Sequence, residues 1–247
     1  MSSISALRTL ALTSVFIHDV VAEGLYHDVL LGQEDAVRRL TGLTLYCVRG
    51  SNGHRRTPPA YCIKTLTYVS TSQKVDNIAL PMLCHLLENA WHLRYLSIDI
   101  DRASLPLALK LFRKHGLQRC EPCPVLTMWH MDRGRHNACQ WTMPELQGIR
   151  SSSMSLIQPL LESRYIKAIV LGDNIKVIDT VDLVRGLGKS SLGGRLESLV
   201  CDVDIENAIS LLDEIALACP RLQHLCMALS SLNTFPAEPV TELHQVN

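Results

Sequence analysis

Cys219-Pro220-Arg221-Leu222-Gln223-His224-Leu225-Cys226-Met227 follows the same plan as Cys123-Pro124-Val125-Leu126-Thr127-Met128-Trp129-His130-Met131 earlier in the chain. Each is a Cys-Pro turn, then an apolar residue, a gap of two, and two more apolar residues with one residue between them. Asn89-Ala90-Trp91-His92-Leu93 takes the same place in front of another copy. Working outward, the hexapeptide Leu-x-x-Leu-x-Leu, or an apolar variant, also occurs at Leu40/Leu43/Leu45, Ile63/Leu66/Tyr68, Leu93/Leu96/Ile98, Ile166/Ile169/Leu171 and Leu196/Leu199/Cys201. A weaker copy sits at Leu146/Ile149. Copies start 20–33 residues apart, the range of a solenoid repeat. The last two apolar positions of each have strand spacing, so they face one way while their neighbours face the other.

Most gaps between copies have room for one helix. Such a pattern reads as leucine-rich repeats of irregular length. It predicts an α/β leucine-rich-repeat solenoid: a parallel strand ladder with helices on the outer face and a small helical N-terminal cap. Helical periodicity appears at Leu80, Leu83 and Leu87, from a helix starting near Pro81 with that proline in its first turn. It appears again at Leu105, Ala108, Leu109 and Phe112. A third helix, through Ile205, Ala208, Ile209, Leu212, Ile215 and Ala216, has a cap at Asp204 and a stop at Pro220. Residues 50–62 read as a loop. The organisation expected is a helical cap over 1–35, whose alternating stretch Leu25–Leu31 reads as the entry to the first strand, an array over 36–230 and a poorly ordered tail over 231–247, which has two prolines and no periodicity.

Composition narrows the class. Hydrophobic residues make up 47% and charged residues 19%, enough for a core and too apolar for disorder. The 24 basic and 24 acidic side chains give a formal net charge of zero, which disfavours a nucleic-acid partner. The basic clusters His54-Arg55-Arg56 and Arg133/Arg135/His136 read as solvated loops. Nine cysteines without a framework of spacings, several in apolar contexts such as Cys47, Cys84 and Cys201, read as free thiols of a reducing compartment, cytoplasm or nucleus. Leu10–Ile17 is short and runs into His18-Asp19, a poor signal peptide, and no window approaches a membrane span.

Near the start, Leu7-Arg8-Thr9-Leu10-Ala11-Leu12-Thr13-Ser14 is followed by Ala22-Glu23-Gly24-Leu25-Tyr26-His27-Asp28-Val29. This pair resembles the second half of a fungal F-box, in which a Leu-x-x-Leu-Ala-Leu-Thr-Ser helix precedes one ending in Leu-Tyr-x-x-Val. A leucine-rich array is that family's usual companion. The resemblance implies a substrate-recognition subunit of a cullin-type ubiquitin ligase, with Leu7, Leu10 and Leu12 as the remnant that docks a Skp-type adaptor. The first half of the F-box, with its Leu-Pro-x-Glu start, does not precede Met1. The family draws much of its adaptor contact from that half, so the resemblance implies a truncated gene product or lost adaptor binding.

Few constellations carry chemistry. Cys120-x-x-Cys123 and His136-x-x-Cys139 have spacing that permits tetrahedral zinc. The match of Cys123 to Cys219, which no metal motif explains, makes buried or loop cysteines the preferred reading, with no cofactor. Gly186-Leu187-Gly188-Lys189-Ser190 resembles the end of a phosphate loop, but Leu183 stands where the motif needs glycine, and a helix C-terminus is preferred. His18-Asp19 and His27-Asp28 read as solvent-facing helix ends. No Gly-x-Ser-x-Gly elbow or His-Glu-x-x-His is present, and the expectation is a protein that is not an enzyme.

The array's outward columns give the candidate partner-binding residues: Tyr95, Ser97 and Asp99; His130 and Asp132; Asp202; and His224. Aspartate recurs at one repeat position in Asp99, Asp132 and Asp202, with Asp173 one residue late. On a parallel ladder such residues could form an acidic stripe for a basic segment, although aspartate also ends strands for local reasons. The function expected is non-catalytic protein binding of the F-box type. A stand-alone leucine-rich scaffold and a zinc-stabilised binding module are the alternatives.

Overall fold

The computed structural model describes residues 15–33, 35–49, 59–117, 142–161, 164–172, 177–189 and 193–230, with 6, 9 and 175 singly. The fold is α/β, and its centre is a seven-stranded, wholly parallel sheet whose strands stand in chain order. They are β1 (Asp28–Leu31), β2 (Thr65–Val69), β3 (Tyr95–Asp99), β4 (Gly148–Ser151), β5 (Ala168–Leu171), β6 (Ser198–Asp204) and β7 (His224–Ser230).

One helix precedes β1 and the others occupy the crossovers. They are α1 (Val15–Tyr26), α2 (Ala36–Arg49), α3 (Pro59–Cys62), α4 (Gln73–Asn89), α5 (Leu105–Lys114), α6 (Met154–Leu161), α7 (Val177–Lys189) and α8 (Ile205–Ala218). Parallel crossovers are right-handed, so strands added in order put every crossover helix on one face. Burial agrees with that geometry. Val29, Leu66, Leu96, Ile149, Ile169, Leu199 and Leu225 stand side by side in register, and from Leu66 to Leu199 they are buried. The alternate residues form an open face. Parallel sheets ordinarily bury both faces, so an open one is the distinctive feature of this fold.

The copies at 63–68, 93–98, 146–149, 166–171, 196–201 and 222–227 become β2 to β7. Leu40/Leu43/Leu45 does not become a strand. It lies in α2, because Ala36, Leu40 and Leu43 recur at i, i+4 and i+7 and are all buried on one helical stripe. Cys47 therefore lies in that helix and does not follow a strand. The first strand is β1, inside the alternating stretch Leu25–Leu31 read as a strand entry, and its pairing with β2 makes residues 28–31 of the cap part of the sheet. A second difference concerns Pro81. The helix begins eight residues earlier, at Gln73, and carries Pro81 in its interior. Burial of Ala79, Leu80, Leu83, Cys84, Leu86 and Leu87 outweighs the missing amide. The copy at Leu126/Trp129/Met131 and the tail over 231–247 lie outside the described residues.

Two buried polar groups pin elements together. The Asp76 carboxylate in the first turn of α4 accepts the Tyr68 hydroxyl at 2.6 Å and the Asp101 backbone amide at 3.1 Å. Burial, and then the carboxylate beside it, push the Tyr68 phenol above its ordinary range. The buried Arg164 guanidinium donates to the Leu117 carbonyl at 2.9 Å and to the carbonyl and hydroxyl oxygens of Thr142. Thr142 in turn donates its hydroxyl to the Gly116 carbonyl.

Candidate functional site

Every strand after β1 starts in the same way. The His27 carbonyl accepts the amides of Lys64 and Thr65, the Lys64 carbonyl those of Arg94 and Tyr95, and the Arg94 carbonyl those of Gln147 and Gly148. Gln147, Lys167 and Glu197 then serve the next three strands identically. Before that step lies a recurring turn, in which the amides of Ile63, Leu93, Leu146, Leu196 and Leu222 bond the carbonyl three residues back. The residues at the carbonyl end are Ala60, Ala90, Met143, Gly193 and Cys219, all buried.

This regularity aligns the open face in rows. Asp28, Thr65, Tyr95, Gly148, Ala168, Ser198 and His224 stand in one register row. The next row holds Leu30, Thr67, Ser97, Arg150, Val170, Val200 and Cys226. Tyr95 is 50% exposed, and its ring lies over Gly148, where an added Cβ would meet ring carbon Cε1 at 2.8 Å.

Of the residues chosen from sequence, Tyr95 and Ser97 come together on β3. His224 shares the row of Tyr95 but lies four strands away, roughly 19 Å at strand spacing. Asp99 and Asp202 lie at one level on strands three apart, about 14 Å, so the two described aspartates are not neighbours. Asp99 also accepts the Ser152 backbone amide at 2.7 Å, which ties the end of β3 to the turn after β4. That is the local work expected of a strand-ending aspartate. His130, Asp132, Asp173, the zinc candidates Cys120, Cys123, His136 and Cys139, and the adaptor remnant Leu7, Leu10 and Leu12 all lie outside the described residues. Among the described residues no group of three His, Cys, Asp or Glu side chains is placed to hold a metal.

The N-terminal rim of the ladder was not legible in the sequence. Tyr61 stacks on Trp91 with ring centres 6.2 Å apart and planes within 13°. His92 meets Glu145 at 2.9 Å, the Arg195 guanidinium lies 4.6 Å from the centre of the Tyr165 ring, and Lys167 pairs with Glu197 at 2.8 Å. Each pair joins equivalent positions of successive units. Tyr61 and Trp91 come two residues before the first apolar position of the hexapeptide, His92, Glu145, Tyr165 and Arg195 one before, and Lys167 and Glu197 one after. Aligning the columns ahead of the hexapeptide would have exposed them. Tyr61, Trp91, Tyr95 and Tyr165 are the exposed aromatics among residues whose side chains are described, and all lie at this end of the strands.

Burial pushes the Cys84 thiol up to about 12 and the Cys201 thiol to about 11, which keeps both protonated and unreactive at neutral pH. Gly186 to Lys189 form the last turn of α7, the carbonyl end of a helix, whereas phosphate is held by the amide end. His27 pairs with Asp28 at 3.0 Å on the surface. No helix among the described residues is long and apolar enough to cross a membrane. Comparison with protein-family models, with curated proteins and with solved structures gives no match.

Proposed function

We propose that this chain is a leucine-rich-repeat solenoid that acts as a non-catalytic protein-binding module. Its partner lies across the N-terminal half of the open face, against Tyr95, Arg150 and the aromatic rim of Tyr61, Trp91 and Tyr165. The single observation that carries this reading is the strand-starting step in which one carbonyl takes two amides of the next strand, six times in succession. Such one-dimensional stacking leaves one continuous face for binding. Exposed tyrosine, tryptophan and arginine are the residues from which interface hot spots are built.

Within that reading the chain is an F-box-type recognition subunit of a cullin ubiquitin ligase, working in the cytoplasm or nucleus. Support for the ligase part is the resemblance over residues 7–14 and 22–29. Support for the compartment is that Cys84, Cys201, Cys219 and Cys226 are free thiols.

Two measurements separate the parts. A photo-crosslinking amino acid placed at Tyr95 should capture a protein partner, and Tyr95→Ala should then weaken that complex about tenfold or more with an unchanged melting temperature. Unchanged affinity removes this face from the reading. Co-expression with a Skp-type adaptor should give a stable complex. Its absence would sink the ligase part and leave the binding module standing.

A further inference from the structure

On the outward positions of β2 to β5 the charged residues are Asp99 on β3 and Arg150 on β4. They are differently occupied. Asp99 accepts the Ser152 amide at 2.7 Å, whereas Arg150 is exposed and has no carboxylate partner among the described residues. Its row neighbours, Ser97 and Val170, bring no charge. Two residues before Arg150, on the same strand and face, is Gly148, and the Tyr95 ring lies over that glycine. An aromatic ring and a guanidinium thus stand side by side in the middle of the sheet, about 7 Å apart along β4.

The carboxylates nearest this place are already engaged. At the N-terminal rim Glu23 is met by Lys64 at 2.6 Å, Glu145 by His92 at 2.9 Å and Glu197 by Lys167 at 2.8 Å. Arg195, lying on the Tyr165 ring, adds a further positive charge there. The aromatic half of the open face therefore carries more cations than carboxylates. Its sign is opposite to that of the aspartate columns at the far end of the strands.

We propose that the partner presents an acidic, extended segment to this face, an inference that rests on reading the face as a protein-binding surface. One carboxylate sits on the fork of Arg150, and two residues along the segment an apolar or aromatic side chain lies on the Tyr95 ring. In an extended chain, side chains at i and i+2 point the same way and stand about 7 Å apart, which matches the separation along β4. A guanidinium takes a carboxylate through two parallel hydrogen bonds. Beside an aromatic contact that displaces water, such a pair is stronger than on an open surface. With its apolar residue over Tyr95, the segment runs toward the basic rim and away from Asp99.

The test is selection of a displayed library of random peptides on the full chain. Enriched peptides should carry Asp or Glu two positions from an apolar or aromatic residue. Binding of a synthetic copy should weaken about tenfold or more with Arg150→Gln, and also with added salt, at an unchanged melting temperature. Selection repeated on Arg150→Glu should return Lys or Arg at the acidic position. Basic or uncharged peptides whose binding is lost with Tyr95→Ala overturn the acidic partner and leave the binding face standing. Acidic peptides sensitive to Tyr95→Ala but indifferent to Arg150→Gln overturn it as well, by placing the charge contact elsewhere. Peptides indifferent to both substitutions, or no enrichment at all, overturn this proposal together with the binding face beneath it.

Discussion

Asp76 is fully buried, and a buried carboxylate persists only when its oxygens are occupied. Tyr68 supplies one donor and the Asp101 amide the other, so one side chain holds together β2, the start of α4 and the turn after β3. Hydrogen bonds to charged groups contribute more than neutral ones, and a buried charge left short of a donor costs its desolvation. Tyr68→Phe keeps the ring and removes only the hydroxyl. It should lower stability by about 1.5–3 kcal/mol, read as a reduced urea midpoint with an unchanged slope. A tyrosine in the third apolar position of the hexapeptide was legible as core, but its polar partner was not. Asp76 precedes the apolar stretch of α4 and looks like a solvent-facing first-turn acid.

At the scale of elements, the strands were legible wherever two apolar residues alternate after a turn, because only an extended chain places both on the sheet's covered side. Leu40, Leu43 and Leu45 satisfy that template by coincidence, and the buried Ala36 decides for a helix. Pro81 misled in the opposite way, since a first-turn proline is a strong start signal and tertiary burial overrode it. The rim contacts join residues about thirty to fifty positions apart, so their signal lies only in the columns ahead of each hexapeptide, aligned unit on unit. Turns between elements are tightly specified. A Cβ on Gly193 would overlap the Ala218 carbonyl oxygen and stand 2.7 Å from that of Leu187, and both are backbone atoms that cannot swing aside. Gly193→Ala should therefore destabilise by about 1–3 kcal/mol, whereas Gly194→Ala, where nothing lies within 4 Å, should be close to neutral. Paired thermal melts of the two variants check this, and equal effects would refute the packing account.

Across the whole molecule, each strand is supported by the strands on either side, so the middle of the sheet is held twice and its ends once. Leu96, on β3, is 2% exposed, while Val29 on β1 is only partly buried. Leu96→Ala should cost about 2–5 kcal/mol and Val29→Ala about 1 kcal/mol. Amide exchange should follow the same gradient, with β3 to β5 slowest and β1 fastest. Uniform protection from end to end would mean a single cooperative block.

The paired positions Asp28, Thr65, Tyr95, Gly148, Ala168, Ser198 and His224 are separated by 37, 30, 53, 20, 30 and 26 residues, yet all stand in one row. That is possible because two amides on a single carbonyl reset the alignment at the start of each strand, whatever the length of chain just traversed. Register is thus decided locally and connection length is left free. For a gene encoding such a chain, an insertion or deletion between strands is absorbed within one crossover and does not propagate, so this architecture can change its loops without relearning how to fold.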